Sequence, residues 1–231
     1  MIETLHTMVN FLNKGGLFMW PLLFCSIITV ATIVLASLTL RARKVMPLVI
    51  ESEIERLTPG GSAERLVRIV NDDSSSLAGV VRTALQHLRW PRSENIESVQ
   101  TRARRELVRL ERGLIVLEVV TGIAPLIGLI GTVSGLVHVF SGLGLSTGAS
   151  DTKAVALGIS EALNCTIFGL SIAVPALISF SYFSKKIEVM SVEMESLVSD
   201  LIAKCYFGRV SSGDPNSPRA MAPAAARAPV A

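Results

Sequence analysis

The sequence predicts an all-α integral membrane protein with three transmembrane helices and long helices that extend into the cytoplasm. Half of the 231 residues are hydrophobic and only 18% are charged, below the roughly 25% that is usual for soluble domains. Charges are almost absent from three apolar segments and dense between them. About 20 apolar residues suffice to span the hydrocarbon core of a bilayer. We therefore place transmembrane helix 1 at 18–40, helix 2 at 113–140 and helix 3 at 154–184.

The first span, Phe18–Leu40, contains no charged residue. We interpret it as a permanent span because its apolar run is too long for a secretory signal, only Lys14 precedes it as a basic residue, and no small-residue cleavage site follows. Residues 1–17 form a short lead with apolar residues at helical spacing. This lead is either an amphipathic helix at the outer interface or an unstructured terminus. Its apolar residues are Leu5, Met8, Val9 and Leu12.

Lysine and arginine predict the orientation of the spans, because they concentrate in cytoplasmic loops. The segment 41–112 carries fourteen of them, whereas the short loop 141–153 carries only Lys153. We therefore expect the N-terminus and the 141–153 loop to be periplasmic, and the 41–112 loop and the C-terminus to be cytoplasmic. Ten acidic residues are interleaved with the basic ones in 41–112, so we attribute the basic residues to topology and expect no nucleic-acid binding.

The cytoplasmic loop is predicted to be helical. Apolar periodicity and turn residues predict helices at Val45–Leu57, Ala63–Val70 and Leu77–Leu88. A longer helix begins at Ser93, with acidic residues in its first turn. No proline or glycine interrupts this last helix before Gly113, so the sequence predicts that it continues into the second span as one helix.

The third span is also predicted to continue into the cytoplasm, as a helix over 185–210. An apolar seam with spacings of three and four residues marks one face of this extension. From residue 211 the composition shifts to Ser, Pro and Ala, which predicts a disordered tail at 211–231. The seam consists of Ile187, Met190, Met194, Leu197, Leu201 and Cys205.

Small residues recur in the second and third spans at helical spacing. Such residues let membrane helices approach closely, and we expect them to be helix-packing positions. Pro125 and Pro175 each interrupt the backbone hydrogen bonds of one of these spans. The packing positions are Gly128, Gly131, Gly135, Gly158, Ala162 and Gly169, with Pro175.

Glu161 is the ionisable residue that membrane packing does not explain. A carboxylate near mid-helix costs about 2.5–3.5 kcal/mol on insertion scales, and such residues usually face a protein interior or water. We favour a functional role, although Glu161 lies only about two turns from Lys153 and a shallow interfacial position stays open. For Glu118 and His138 we favour interfacial positions over roles in proton transfer.

The sequence offers no sign of catalytic or metal chemistry. It has no glycine-rich phosphate loop, no His or Cys cluster, and no nucleophile with a neighbouring base. Cys25, Cys165 and Cys205 have no metal-binding spacing and no CxxC pattern, so we expect packing roles for them rather than a metal site or disulfide. We expect neither enzyme activity nor a cofactor.

Three segments resemble the ExbB/TolQ/MotA proton-channel family. They are "MWPLLFCSI" in the first span, "APLIGLIGTVSGL" in the second and "GISEALNCTIFGLSIAVPALI" in the third. The resemblance covers about residues 15–205 and is nearest to the ExbB and TolQ branch, because MotA-type proteins have four spans.

This resemblance implies a ring-forming homo-oligomer, a pentamer, in the bacterial inner membrane. A dimer of a single-span ExbD- or TolR-type partner would thread its pore, with a membrane Asp that takes up and releases protons. The partner would pass work to a TonB- or TolA-type protein that reaches the outer membrane. ExbB-like and TolQ-like roles, and the client served, stay open, and the choice of proton over sodium follows from the resemblance alone.

The resemblance also implies an ion pathway. Its residues are Thr132 in "GTVSG", Glu161 in "GISEAL" and Thr166 five positions later, with Pro175 as the family's proline. Asn164 and Cys165 depart from the small apolar residues usual before this threonine. On an ideal helix Glu161 and Thr166 diverge in direction, so we expect Thr166 to line the pore and Glu161 to face a subunit seam or the partner.

Two other functional classes compete with this interpretation. A structural membrane scaffold would use the small-residue faces only for assembly, without conducting ions. A solute transporter is disfavoured because three spans without inverted repeats do not fit the usual transporter design.

Overall fold

A computed structural model of the chain describes residues 17–143 and 151–211, with side-chain environments for 17–141 and 155–207. All regular structure in these ranges is α-helical, as predicted. Most of the predicted lead, of the short loop and of the tail lies outside the described residues. The helices are α1 (Met19–Thr39), α2 (Ala42–Val45), α3 (Leu48–Arg56), α4 (Glu64–Asp72), α5 (Ser76–Gln86), α6 (Arg92–Glu111), α7 (Ile115–Leu143) and α8 (Asp151–Ser211).

The chain divides into two compact units. The membrane unit contains α1, α7 and α8 up to Lys185, and the second unit contains α2–α6 and α8 from Lys186. Within the described ranges, three segments of helix are long and apolar enough to cross a membrane, at Met19–Thr39, Ile115–Ser141 and within Val155–Phe207. The three predicted spans are confirmed in this sense. At 1.5 Å per residue, the 21 residues of α1 match a hydrocarbon core about 30 Å thick.

Two predicted helix boundaries are wrong. The expected continuous helix across Gly113 is interrupted at residues 112–114, between α6 and α7. Glycine is a poor helix former, and nothing lies within 4 Å of the position that a Cβ would occupy at Gly113. The predicted Val45–Leu57 helix is split into α2 and α3, because Pro47 disfavours helical geometry at Met46, whose φ and ψ are −130° and 89°.

The C-terminal part of α8 supplies one wall of the core of the second unit. Ile187, Met190, Met194 and Leu201 are buried, which confirms most of the predicted apolar seam. Val198 is buried in place of the predicted Leu197, which is only half-buried. Other fully buried side chains of this unit include Leu40, Ile50, Ile54, Leu66, Val70 and Leu77.

Polar bonds fix this part of α8 to the shorter helices. Asn95 is fully buried, and its amide Nδ2 donates to the carbonyl of Ala84 at 3.1 Å and lies 3.3 Å from the Tyr206 hydroxyl. That hydroxyl donates in turn to the carbonyl of Trp90 at 2.7 Å. Lys204 Nζ donates to the carbonyl of Ile54 at 3.0 Å. These bonds satisfy backbone acceptors at the ends of α3 and α5 and in the turn before α6.

Replacing Asn95 by Ala is expected to destabilise the second unit by about 1–3 kcal/mol, because the Ala84 carbonyl loses its buried donor. Hydrogen–deuterium exchange on the full chain in detergent should then be faster across α5 and α6. Asn71→Ala, at an exposed position of α4, is the matched control. Equal exchange in the two variants would show that the buried amide contributes nothing to stability.

Candidate functional site

The close approach of α7 and α8 depends on residues without side-chain bulk. A Cβ on Gly169 would lie 2.6 Å from the carbonyl oxygen of Ala124, and one on Gly128 would lie 2.9 Å from the carbonyl oxygen of Cys165. A Cβ on Gly135 would lie 2.9 Å from the Cβ of Ala162. Because two of these obstacles are backbone atoms, a larger residue at Gly128 or Gly169 would force the helices apart.

The register of the contacts shows that α7 and α8 run antiparallel. The partner of Gly128 and Ala124 is Gly169, and seven residues further along α7 the partner of Gly135 is Ala162. Each step forward on α7 is therefore matched by a step backward on α8. The contact continues to Gly158, whose Cβ would collide with the side chain of Val139. All six predicted packing positions with small side chains lie along this α7–α8 contact.

Two hydroxyls meet beside this contact. The Thr132 Oγ1 and Thr166 Oγ1 atoms are hydrogen-bonded to each other across α7 and α8. Thr132 Oγ1 also lies 3.1 Å from the Gly128 carbonyl and 3.0 Å from the Ala162 carbonyl, and Thr166 Oγ1 lies 3.2 Å from the Gly128 carbonyl. The two predicted pathway threonines therefore form a single polar site, which we call the hydroxyl pair.

The hydroxyl pair has more hydrogen-bonding capacity than its protein contacts use. Each threonine hydroxyl provides one hydrogen and two lone pairs. One hydrogen is spent on the bond between Thr132 and Thr166, so the other can reach only one of the two nearby carbonyl groups at a time. Three of the four lone pairs remain available to accept hydrogen bonds. Both threonines are half-buried, so part of the surface of each is open to water or to another polar group.

Glu161 does not join the hydroxyl pair. Its exposed side chain lines a cavity of about 400 Å³, together with residues of α7 and the two residues before α1, and neither Thr132 nor Thr166 lines this cavity. On an ideal helix successive residues turn by about 100°, which places Glu161 and Thr166 on opposite flanks of the face that packs against α7. The geometry agrees with the divergence expected from the sequence.

The remaining predicted residues lie apart from the hydroxyl pair. Glu118 is exposed near the start of α7, and His138 is exposed at the same cavity as Glu161. Pro175 is exposed within α8. Cys165 is buried against Gly131, as expected of a packing residue.

The structure reveals two features that the sequence analysis missed. The carbonyl groups of Gly128 and Ala162 belong to the polar site, and no side-chain pattern reports a backbone acceptor. Ser134 lines the cavity with His138 and Ser141. The spacing of these three residues, four and then three positions, places them on one face of α7, and this periodicity was the available signal.

These features define a helical membrane protein with three candidate spans and a polar site between two of them. The chain belongs to the MotA/TolQ/ExbB proton channel family, whose family model matches residues 72–196. The matched range contains all of α7 and most of α8, and with them the hydroxyl pair and Glu161. The resemblance inferred from the sequence motifs is confirmed.

Individual relatives carry names that refer to biopolymer transport. The chain is 33% identical over 176 residues to the putative biopolymer transport protein ExbB-like 1 of Synechocystis sp., which covers 72% of this chain and 66% of the relative. It is 31% identical over 201 residues to the biopolymer transport protein ExbB of Neisseria meningitidis serogroup A, covering 80% and 89%. It is 39% identical over 82 residues to the Helicobacter pylori protein of the same name, covering 36% and 56%.

The extent of these alignments differs between relatives. The chain spans about half to two thirds of the length of the Helicobacter and Synechocystis relatives, and nearly all of the Neisseria relative. The similarity therefore establishes the family, while the activity and partners of the whole protein are proposals.

Proposed function

We propose that this protein is the ring-forming proton-channel subunit of an inner-membrane motor of the ExbB–ExbD or TolQ–TolR type. A dimer of a single-span partner occupies the bore of the ring, and protons pass between a membrane Asp of the partner and the polar groups of the ring. The resulting movement is passed to a TonB- or TolA-type protein, for outer-membrane import or envelope maintenance. The N-terminus is periplasmic and the C-terminus cytoplasmic.

The observation that carries this proposal is the hydroxyl pair of Thr132 and Thr166. It brings one hydroxyl from each of two spans to the same point between otherwise apolar helices. Its free lone pairs can accept hydrogen bonds from water or hydronium, which lowers the cost of placing a proton in this part of the membrane. One proton crossing 100 mV releases about 2.3 kcal/mol, so small conformational steps lie within reach of this energy source.

The partial exposure of the hydroxyl pair supports the assembly of several copies of the chain into a ring. Both threonines lie at the edge of the α7–α8 contact and are half-buried in a single copy, so one side of the pair is left for another group to cover. In a ring of copies this side faces the central bore. There the hydroxyls of successive copies form a polar layer around the partner, whose Asp can then exchange protons with water held by that layer.

One observation favours a purely structural role as the second candidate. The glycines of α7 and α8 are required for close packing whether or not ions pass, and packing is all that a scaffold needs. The scaffold hypothesis gives the hydroxyl pair no purpose beyond helix association, to which one interhelical hydrogen bond contributes about 0.6–2 kcal/mol.

Proton flux into liposomes separates the two hypotheses. The chain is reconstituted alone or with the single-span, Asp-containing protein of its own genome, and a pH-sensitive dye reports internal acidification after a membrane potential is imposed. We expect acidification only when the partner is present, and expect it to be lost when the partner's membrane Asp is replaced by Asn. A complex that assembles with its partner but carries no proton flux would support the scaffold instead.

A further inference from the structure

The cavity beside Glu161 lies within the membrane unit, between α7, α8 and the residues that precede α1. With a volume of about 400 Å³ it can hold several water molecules, each of which occupies about 30 Å³ in the liquid. Phe18 and its neighbour Leu17 close one side, while α7 and α8 provide the others. Among its lining residues, the polar side chains are Ser134, His138, Ser141 and Glu161.

These polar groups are spread along the axis of α7 instead of meeting at one point. The α7 residues that line the cavity run from Gly131 to Ser141, which corresponds to about 15 Å at 1.5 Å per residue. Ser134, His138 and Ser141 follow one another on the same face of α7. A cation that enters near Ser141 therefore has a hydrogen-bonding group at each helical turn on its way to the level of Glu161.

The inner end of the cavity is closed by tight packing. A Cβ on Gly131 would lie 2.9 Å from the Cβ of Cys165, 3.1 Å from its Sγ and 3.3 Å from the Cβ of Phe18. Gly131 and Cys165 each precede a member of the hydroxyl pair in the sequence. The cavity therefore reaches the depth of the pair but lies on the other flank of the α7–α8 contact, behind this seal.

We propose that this cavity is a water-filled vestibule, through which a hydrated monovalent cation reaches Glu161 from the periplasmic side. Ser134 and His138 supply hydrogen bonds along the vestibule, and the Glu161 carboxylate attracts the cation to its inner part. The charged and titratable groups that line the cavity are Glu161 and Cys165 from α8 and His138 from α7. The proposal rests on the proposed function for its direction and for its purpose.

Cysteine labelling tests the vestibule without relying on proton flux. Cys25, Cys165 and Cys205 are replaced by Ala, and either Ser134→Cys or Val133→Cys is introduced. Val133 is the matched control because it is the adjacent residue at nearly the same depth, is exposed, and does not line the cavity. The assembled complex in right-side-out vesicles is treated with a membrane-impermeant cationic methanethiosulfonate. We expect S134C to react at least about tenfold faster than V133C, because thiolate formation requires water.

The charge of Glu161 is tested in the same experiment. The rate with the cationic reagent is divided by the rate with an anionic methanethiosulfonate of similar size. Adding Glu161→Gln to S134C should lower this ratio by at least about fivefold, the size of the attraction between unit charges about 4 Å apart in water. The ratio for V133C should change by less than about twofold, since screening and distance weaken the interaction.

Several results would contradict the proposal that the cavity is a water-filled vestibule. If S134C is as unreactive as V133C, the cavity is covered or dry in the assembly. If S134C reacts rapidly only in inverted vesicles, the cavity opens to the cytoplasmic side. If E161Q leaves the reagent ratio unchanged, Glu161 does not attract cations there. None of these results depends on proton flux, so a complex that conducts protons but lacks reactivity at S134C would contradict the vestibule alone.

Discussion

Replacing Thr132 by Val is expected to reduce proton flux through the complex by at least about tenfold. Valine has nearly the same shape as threonine but lacks the hydroxyl, so the variant loses one of the two groups of the hydroxyl pair. A tenfold loss corresponds to a barrier raised by about 1.4 kcal/mol. This is close to the net value of one or two hydrogen bonds. Flux is measured in the liposome assay with the partner present.

The helices should remain packed in this variant. Thr166 Oγ1 keeps the Gly128 carbonyl as an acceptor, at 3.2 Å, and the glycine contacts that set the helix separation do not involve the Thr132 side chain. Thr132→Val should therefore assemble with its partner in normal amount. Assembly is measured by co-purification, so that lost flux is not confused with a lost complex.

Thr132→Ser is the control for the hydroxyl itself. It keeps the oxygen and removes one methyl group, and we expect its flux to stay within about threefold of the unaltered protein. Thr166→Val should behave like Thr132→Val because the two hydroxyls act as one site. Full flux in either valine variant would remove the hydroxyl pair from the proton pathway.

Replacing Gly169 by Leu is expected to prevent assembly of the complex altogether. Even a single Cβ at this position would lie 2.6 Å from the Ala124 carbonyl oxygen and 3.3 Å from the Cα of Gly128. These are backbone atoms that no side-chain rotation can move. Overpacking of a rigid contact usually costs about 1–3 kcal/mol for a few extra methylene groups. A leucine directed at backbone atoms should lie at or above the top of that range.

The consequences for the hydroxyl pair follow from the helix separation. When α7 and α8 move apart, the bond between Thr132 and Thr166 breaks, and flux and assembly are lost together. The measurements are native gel migration of the purified complex and its thermal unfolding in mild detergent. We expect no stable ring and a lower unfolding temperature.

Gly122→Leu is the matched control for this change. Gly122 is also a glycine within a spanning helix, but nothing lies within 4 Å of the position that its Cβ would occupy. The variant should unfold within a few degrees of the unaltered protein. If Gly169→Leu and Gly122→Leu are equally stable, the α7–α8 contact does not have the close spacing described here.

The spans were predictable because the membrane imposes a simple rule on the sequence. Charge-free runs such as Phe18–Leu40 must be helical and long enough to cross, since no water is present to satisfy an exposed backbone. The packing role of the small residues of α7 and α8 could also be predicted, because close approach of membrane helices requires small residues. Both features depend on composition and spacing within one segment.

The groups that make up the hydroxyl pair and its surroundings could not be predicted from the sequence in the same way. Thr132 and Thr166 are 34 positions apart, and their contact depends on the antiparallel register of two helices, which no local pattern fixes. The sequence motifs gave each threonine a role by resemblance, but not their direct bond or the carbonyl groups of Gly128 and Ala162. The cavity likewise needs Phe18, which lies just before α1, to complete it.

The two wrong helix boundaries show that single glycine and proline residues were given too little weight in the prediction. At Gly113 the absence of an earlier proline or glycine favoured a continuous helix, but the conformational freedom of glycine at a position without packing prevailed. At Pro47 the apolar periodicity of the surrounding segment was given more weight than the effect of proline on the residue before it. Both positions lie between consecutive helices, where the backbone preference of one residue can end a helix.

The most direct test is the position of the hydroxyl pair in the assembled complex, determined by cryo-electron microscopy in a lipid nanodisc with the partner bound. We predict a ring in which Thr132 and Thr166 of every copy border the central bore, with the partner's membrane helix beside them. A ring in which both hydroxyls face the lipid, or in which the bore at their level is filled by apolar side chains of the ring itself, would contradict the proposed function.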